Sequence, residues 1–363
     1  MHLISPEKVI RGIDAWQNSI PQITKLTKCP LVLGRSKDTR YLRLKISKDL
    51  NQAGLNVSHS ELQFDCCEED LSRIYKFALD NNCDSVITAG GGKVLDAGKL
   101  IAEKLSVPCI TVPLSASTCA GWTALANIYT TKGQFVRDVN LKTCPKILIC
   151  DHSFIKTAPN NTLSSGIADS LAKWYESSLT SSSNNDGIVQ QAIQISRVLR
   201  DQLFIEGEEA FNNPDENNIS WVNVIEANSL TAGLIGGIGG EKCRTAAAHA
   251  LHNSITQIIN NKKILHGEIV GVGILIQLRL EEIKNNNKLA NQSIKQLVKF
   301  MKTLNLPTSI SELGINVFEN QNLQKIAKFT CREESEIHFL PFKISEQDIV
   351  EVISKFESHK IKI

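Results

Sequence analysis

Long apolar runs, charge of one sign, paired cysteines and internal repeats are all missing from this sequence, and each absence removes a class of protein. The nearest approach to a long apolar stretch, Ile269 to Leu280, falls short of the run of about 18 residues that a bilayer-spanning helix needs, so no membrane partner is expected. Forty basic residues face 38 acidic ones, for a net charge of +2 without any basic stripe, which argues against nucleic acid. The ten cysteines (29, 66, 67, 83, 109, 119, 144, 150, 243 and 331) contain no C-x-x-C pair and no secretory apolar segment opens the chain. Reduced thiols in a cytoplasmic protein are the expectation. Aromatic residues are only 6% of the 363, but 42% are hydrophobic, enough for two domains with a core each.

What is present changes character along the chain. Short β-branched runs at 30–34, 85–89, 109–113 and 146–150 alternate with helical patterns at 38–53, 68–80 and 93–105. Continuously apolar strands joined by crossover helices predict a parallel sheet covered on both faces, a nucleotide-binding layout. Beyond residue 158 strand signals stop, and apolar periodicity predicts helices at 163–181, 186–204, 218–236, 241–260, 266–283, 288–304, 322–330 and 345–357. The reading is an α/β domain over 1–158 and an all-helical domain over 159–363.

Three stretches carry candidate chemistry. Gly90-Gly91-Gly92-Lys93 ends a strand and opens a helix, a geometry that offers bare N–H groups to a pyrophosphate, though such a turn also occurs with no ligand. Asp96 and Lys99, three apart, read either as part of that site or as a solvated pair. Asp169 sits beside an apolar helical stripe and needs a partner there. His249 and His252 share one face of an alanine-rich helix, and a helix hairpin can return His266 beside His249. A carboxylate with two imidazoles can hold a divalent ion, zinc or ferrous iron, and leave a position open for substrate.

Read together, Gly-Gly-Gly-Lys-Val-Leu-Asp-Ala-Gly-Lys at 90–99, Ser-Ala-Ser-Thr at 115–118, Gly-Ile-Ala-Asp-Ser-Leu-Ala-Lys-Trp-Tyr-Glu at 166–176, Ala-Ala-Ala-His-Ala-Leu-His-Asn at 246–253 and Leu-His-Gly-Glu at 265–268 resemble the iron-containing alcohol dehydrogenase family, in its glycerol dehydrogenase branch. The resemblance implies an N-terminal Rossmann-like domain and an all-α C-terminal domain, the dehydroquinate synthase-like architecture, with NAD(P) and one divalent metal in the cleft between them. It implies metal ligands at Asp169, His249 and His266, and a proton-relaying histidine at His252. Cofactor contacts fall on Gly91, Gly92, Lys93, Ser117, Thr118, Thr123, Leu125 and Tyr129, with Asp96 beside them.

Two departures from the glycerol dehydrogenase pattern bear on specificity. Where those enzymes carry an Asp after Ser-Thr, this chain has Cys119, and a thiol cannot accept hydrogen bonds from a vicinal diol as a carboxylate does. The stretches around Cys119, Gly237–Glu241 and Glu336–Pro341 look instead like a hydroxycarboxylate dehydrogenase subgroup, which implies a small 2-oxo or 2-hydroxy acid as substrate. Arg244 is then a candidate for its carboxylate, or else a structural residue. Where NAD-using members carry an Asp after the first apolar strand, this chain has Arg35, which implies a preference for NADP(H). Glycerol oxidation is the alternative activity. A lyase of the same architecture and a non-catalytic NAD(P)- or metal-binding protein are more remote. A homo-oligomer is expected.

Overall fold

The structure is a computed structural model that describes residues 2–181, 184–259, 263–319 and 321–358. Its first half runs β1 (Lys8–Gly12), α1 (Ala15–Leu26), β2 (Pro30–Gly34), α2 (Arg40–Gln52), β3 (Ser58–Glu61), α3 (Glu68–Asp80), β4 (Ser85–Gly90), α4 (Gly92–Leu105), β5 (Cys109–Pro113), β6 (Leu125–Tyr129), β7 (Phe135–Asn140) and β8 (Ile147–Asp151). Six strands form a parallel sheet in the order β1-β8-β5-β4-β2-β3, and β6 and β7 form an antiparallel hairpin. β2, β4, β5 and β8 are buried along their whole length, as continuous Val, Ile and Leu runs require when helices cover both faces. Each such side chain contributes about 1.5–3 kcal/mol on burial. The chain leaves β2 in one direction to β3 and returns on its other side to β4. That reversal opens a crevice at the carboxyl ends of β2 and β4, where Gly34-Arg35 and Gly90-Gly91 lie.

The second half is helical: α5 (His152–Ile155), α6 (Asn161–Thr180), α7 (Gly187–Asn212), α8 (Ile219–Glu226), α9 (Ala232–Gly239), α10 (Ala247–Ile255), α11 (His266–Lys284), α12 (Lys288–Thr303), α13 (Asn322–Thr330) and α14 (Glu346–Ser358). The expected helix over 218–236 is α8 and α9 joined by a π-turn at Ala227–Thr231. The one expected over 241–260 shrinks to α10, because Gly240 at φ +72° and a 3-10 turn at Glu241–Cys243 break the path before Ala247. Its last residue, Asn260, lies outside the described residues. One apolar core joins the halves: Ala116, Trp122, Leu148 and Cys150 of the first pack with the buried faces of α6, α8 and α11. Among the described residues no helix is long and apolar enough to cross a membrane.

Candidate active site

The glycine turn lies at the start of α4. Val94 and Leu95 N–H both turn back on Gly91 O, at 2.9 and 3.1 Å, and no side chain caps the helix. The N–H groups of Gly92 and Lys93 take no partner among the described residues, so two donors and the positive end of the helix are open to an anion. A Cβ on Gly92 would stand 3.0 Å from Thr118 Oγ1, which keeps the cradle narrow. Ser117 bonds Ser115, Oγ to Oγ, at 3.1 Å on the same rim.

Asp96 and Lys99 form their pair at 2.9 Å, but both are buried, which corrects the alternative of a solvated surface pair. Lys99 Nζ donates to Ala120 O at 2.7 Å, Thr123 O at 3.1 Å and Leu125 O, while Asp96 Oδ2 accepts from Asn127 N at 3.1 Å. One buried ammonium thus ties the loop that carries Thr118 and Cys119 to α4. The Asp96 carboxylate is committed to that staple although it borders the cavity. Asp65, which sequence reasoning passed over, takes Lys93 Nζ at 2.7 Å and Arg35 at 3.7 Å. Lys93 also stands 4.1 Å from the Tyr129 ring centre.

Three helices meet at the other end of the cavity because small residues line their crossings. A Cβ on Gly267 would sit 1.8 Å from Ser165 O and one on Gly273 2.6 Å from Ala248 O, while one on Gly166 would sit 1.9 Å from Ala116 O of the loop after β5. Glu268 accepts from Leu265 N at 2.6 Å and Ser165 Oγ from Gly267 N at 3.0 Å, which starts α11 at His266 against α6. Asp169 Oδ1 is then 3.4 Å from His249 Nε2 and 3.2 Å from His266 Nε2. The three ligand atoms lie within 4.8 Å of one another, while Asp169 Oδ1 is buried without a hydrogen bond. An orphaned carboxylate oxygen facing two imidazole nitrogens is a donor set that fits a divalent cation such as zinc or ferrous iron.

The far sides of both imidazoles are held. Glu176 Oε2 accepts from His249 Nδ1 at 2.7 Å, and its Oε1 accepts from His249 N at 3.0 Å and Ala246 N at 2.7 Å. Glu176 is seven residues after Asp169, on the same face of α6, and that spacing was the signal available in the sequence. His252 Nδ1 donates to Asn253 Oδ1 at 3.0 Å, so its Nε2 accepts from His266 Nδ1 at 2.9 Å. Both His249 and His266 thereby present Nε2 inward. His252, expected as a proton relay, has both ring nitrogens engaged, one with Asn253 and one with His266.

Burial opposes charge on His249, but Glu176 and Asp169 outweigh it and the imidazole is pushed up to about 9. Burial and then the His266 charge hold His252 well below the usual histidine range. Burial also opposes the charged form of Asp169, yet His266 and His249 bring its carboxyl well down. A cation must displace the His249 proton to bind, so its apparent affinity is expected to rise about tenfold per pH unit up to about 9. Glu176→Gln is expected to lower metal affinity about 10- to 100-fold and to flatten that pH dependence, because His249 no longer holds its proton so firmly. Chelator competition from pH 6 to 9 measures both. Unchanged affinity would deny Glu176 this role.

These two ends share one cavity of about 900 Å³, bordered from Arg35 through Gly91, Thr118 and Tyr129 to Asp169, His249 and His266. Cys119 borders it too, its thiol pushed up by burial. Arg244 reaches the cavity, but its Nε donates to Gly236 O at 3.2 Å and its Nη1 to Asn140 Oδ1 at 3.1 Å. It ties α9 to β7, the structural alternative. Glu336, which opens the Glu336–Pro341 stretch but was given no site role, borders the cavity with Oε2 buried and unpartnered.

A phosphate cradle facing a metal-competent triad across one cleft is the arrangement of a metal-dependent dehydrogenase. Residues 6–152 match the family model for iron-containing alcohol dehydrogenase. The chain is 39% identical to an uncharacterized oxidoreductase of Synechocystis, over 96% of this chain and 89% of that protein. It is 31% identical to hydroxycarboxylate dehydrogenase A of Escherichia coli K12, over 81% and 80%. Among solved structures, glycerol dehydrogenase from Schizosaccharomyces pombe superposes with a TM-score of 0.85 at 29% identity, covering 98% of this chain and 90% of that one. The chain is an oxidoreductase acting on CH–OH donors. It belongs to the iron-containing alcohol dehydrogenase family, whose members generally bind NAD(P) and a divalent metal.

Proposed function

We propose that the protein interconverts a small 2-oxo acid and its 2-hydroxy acid with NADP(H). The observation that carries this reading is the uncharged thiol of Cys119 on the wall of the cavity that Asp169, His249 and His266 border, where a carboxylate would repel an anionic substrate. A nicotinamide cofactor supplies or accepts the hydride, and a zinc or ferrous ion held by Asp169, His249 and His266 supplies the positive charge that polarises the reacting C–O bond.

The chain's own groups orient the rest. Gly92 and Lys93 N–H donate to the pyrophosphate, with Ser117 and Thr118 on its rim. Arg35 keeps a long ion pair with Asp65 at 3.7 Å and is part-exposed, which leaves other N–H groups of its guanidinium to meet a 2′-phosphate at the end of β2. Glu176 and His252 hold Nδ1–H of His249 and His266, which keeps both Nε2 atoms aimed at one point. The proton gained by the product oxygen comes from water in the cavity, and His252 serves as a positioning residue. A cytoplasmic location agrees with the ten free thiols.

Glycerol oxidation is the second reading, favoured by the match to the S. pombe enzyme. Steady-state assays of metal-loaded protein with NADPH and NADH against 2-oxo acids, beside glycerol with both oxidised cofactors, decide between them. NADPH-linked reduction of a 2-oxo acid is expected. Glycerol oxidation with NAD alone would overturn the proposal. Arg35→Ala is expected to cut kcat/KM for NADPH about 10- to 100-fold, the size of one lost charge-assisted contact, and to spare NADH; an equal effect on both cofactors would sink the assignment of Arg35.

A further inference from the structure

The cavity wall holds a cation that the mechanism above leaves unused. Lys173 lies one turn after Asp169 on α6, so both side chains leave the same face of the helix, and both border the cavity with Cys119 and His249. Lys173 is only 6% exposed, and burying an ammonium is unfavourable unless it is paired. Lys93 on the same wall is paired with Asp65 at 2.7 Å, and Lys132, also on it, is exposed to water. Lys173 Nζ donates to Arg244 O at 2.9 Å, makes no ion pair among the described residues, and keeps two of its three donors.

We infer that Lys173 is the seat of the substrate carboxylate, an inference that rests on the 2-oxo acid reading. Lys173 follows Asp169 by one helical turn, about 5.4 Å along α6, so a carboxylate next to a carbonyl held at the triad meets the wall that Lys173 borders. The charge balance agrees. With a divalent cation on the triad, the Asp169 and Glu176 carboxylates balance it and Lys173 adds a positive charge, while burial raises Glu336, which also borders the cavity, toward its neutral form. A monoanionic substrate restores neutrality and an uncharged polyol does not. Arg244, the other candidate, spends two of its five N–H donors on Gly236 O and Asn140 Oδ1 and so ties α9 to β7, while its carbonyl positions Lys173.

The test compares wild type, Lys173→Met and Lys173→Arg as metal-loaded holoenzymes, using pyruvate as acid, glycolaldehyde as uncharged carbonyl and oxamate as unreactive anion. In Lys173→Met, the dissociation constant of oxamate from the enzyme–NADPH complex, read by calorimetry, is expected to rise about 10- to 100-fold. The ratio of kcat/KM for pyruvate to that for glycolaldehyde falls as far, and Lys173→Arg recovers part of both. Unchanged oxamate binding, or equal losses on acid and aldehyde, would overturn the role of Lys173 alone. A wild type that neither binds oxamate nor reduces pyruvate would overturn the 2-oxo acid reading and this inference with it. Metal content and melting temperature monitor the fold. If Lys173→Met does not fold, Lys173→Gln carries the same comparison, since glutamine keeps donors without charge.

Discussion

Asp169→Asn is expected to fold normally, lose its metal and lose turnover by about a thousandfold or more. The amide has nearly the shape of the carboxylate, and Asp169 is buried on α6 among residues that hold the helix in place without it. What disappears is the charge. Asp169 Oδ1 is the atom both Nε2 nitrogens face, at 3.4 and 3.2 Å, and nothing else satisfies it. An asparagine there offers either a carbonyl of weak affinity or an N–H that repels a cation. A Lewis acid contributes several kcal/mol to the transition state, and each 1.4 kcal/mol is about tenfold in rate. Elemental analysis, chelator competition and steady-state rates measure the outcome. NADPH binding, read by fluorescence, should survive, because the glycine cradle is at the far end of the cavity. A variant that keeps both metal and turnover would show that this triad is not the metal site.

The strands visible in the sequence were those buried on both faces. β2, β4, β5 and β8 stand out as apolar runs, and they form the middle of the sheet. The strands that escaped are its polar edges and the hairpin: β1 is Lys-Val-Ile-Arg-Gly and partly exposed, and β3 is Ser-His-Ser-Glu with no apolar residue. No periodicity marks a strand that borders solvent on one side and is only four or five residues long. α1 was missed as well, since Pro21 lies inside it, and proline normally argues against a helix interior.

The same logic applies to the site. Asp169, His249 and His266 drew attention because ionisable groups in apolar or alanine-rich helices stand out, and the structure brings them together. Glu176 and Asp65 did not, because their partners come from residues far away in the chain: Glu176 meets His249, and Asp65 meets Lys93 and Arg35. Lys99 looked like half of a surface pair. Besides Asp96 it holds backbone carbonyls of a loop some 20 residues on, and carbonyls leave no mark in a sequence. Arg244 and Lys173 show the limit most plainly. Both were visible as basic residues, but that Arg244 is tied to Gly236 O and Asn140 while the buried Lys173 ammonium meets a single carbonyl depends on tertiary contacts that a sequence does not display.

Gly267→Ala is the second large effect expected, and it comes from packing. A Cβ at this position would stand 1.8 Å from Ser165 O and 2.6 Å from Ser165 C. Backbone cannot swing aside as a side chain can, so α11 must move away from α6 by an ångström or more. Alanine's better helix propensity offers at most about 1 kcal/mol, while overpacking costs about 1–3 kcal/mol or more, so the clash wins and the melting temperature falls. The chemical cost is larger still. His266 immediately precedes Gly267 and would be carried with it, opening the 3.2 Å approach to Asp169 and straining the Gly267 N to Ser165 Oγ bond. Misplacing a reacting group by about 1 Å costs on the order of a hundredfold in rate, and metal affinity should fall with it. Gly187→Ala is the control: it too opens a helix, α7, but a Cβ there meets nothing within 4 Å, so stability is expected to hold or rise slightly. Thermal melts and metal titration of the two variants side by side separate the loss of glycine itself from the loss of this crossing. Equal behaviour of the two would mean that the close approach of α11 to α6 does not set the position of His266.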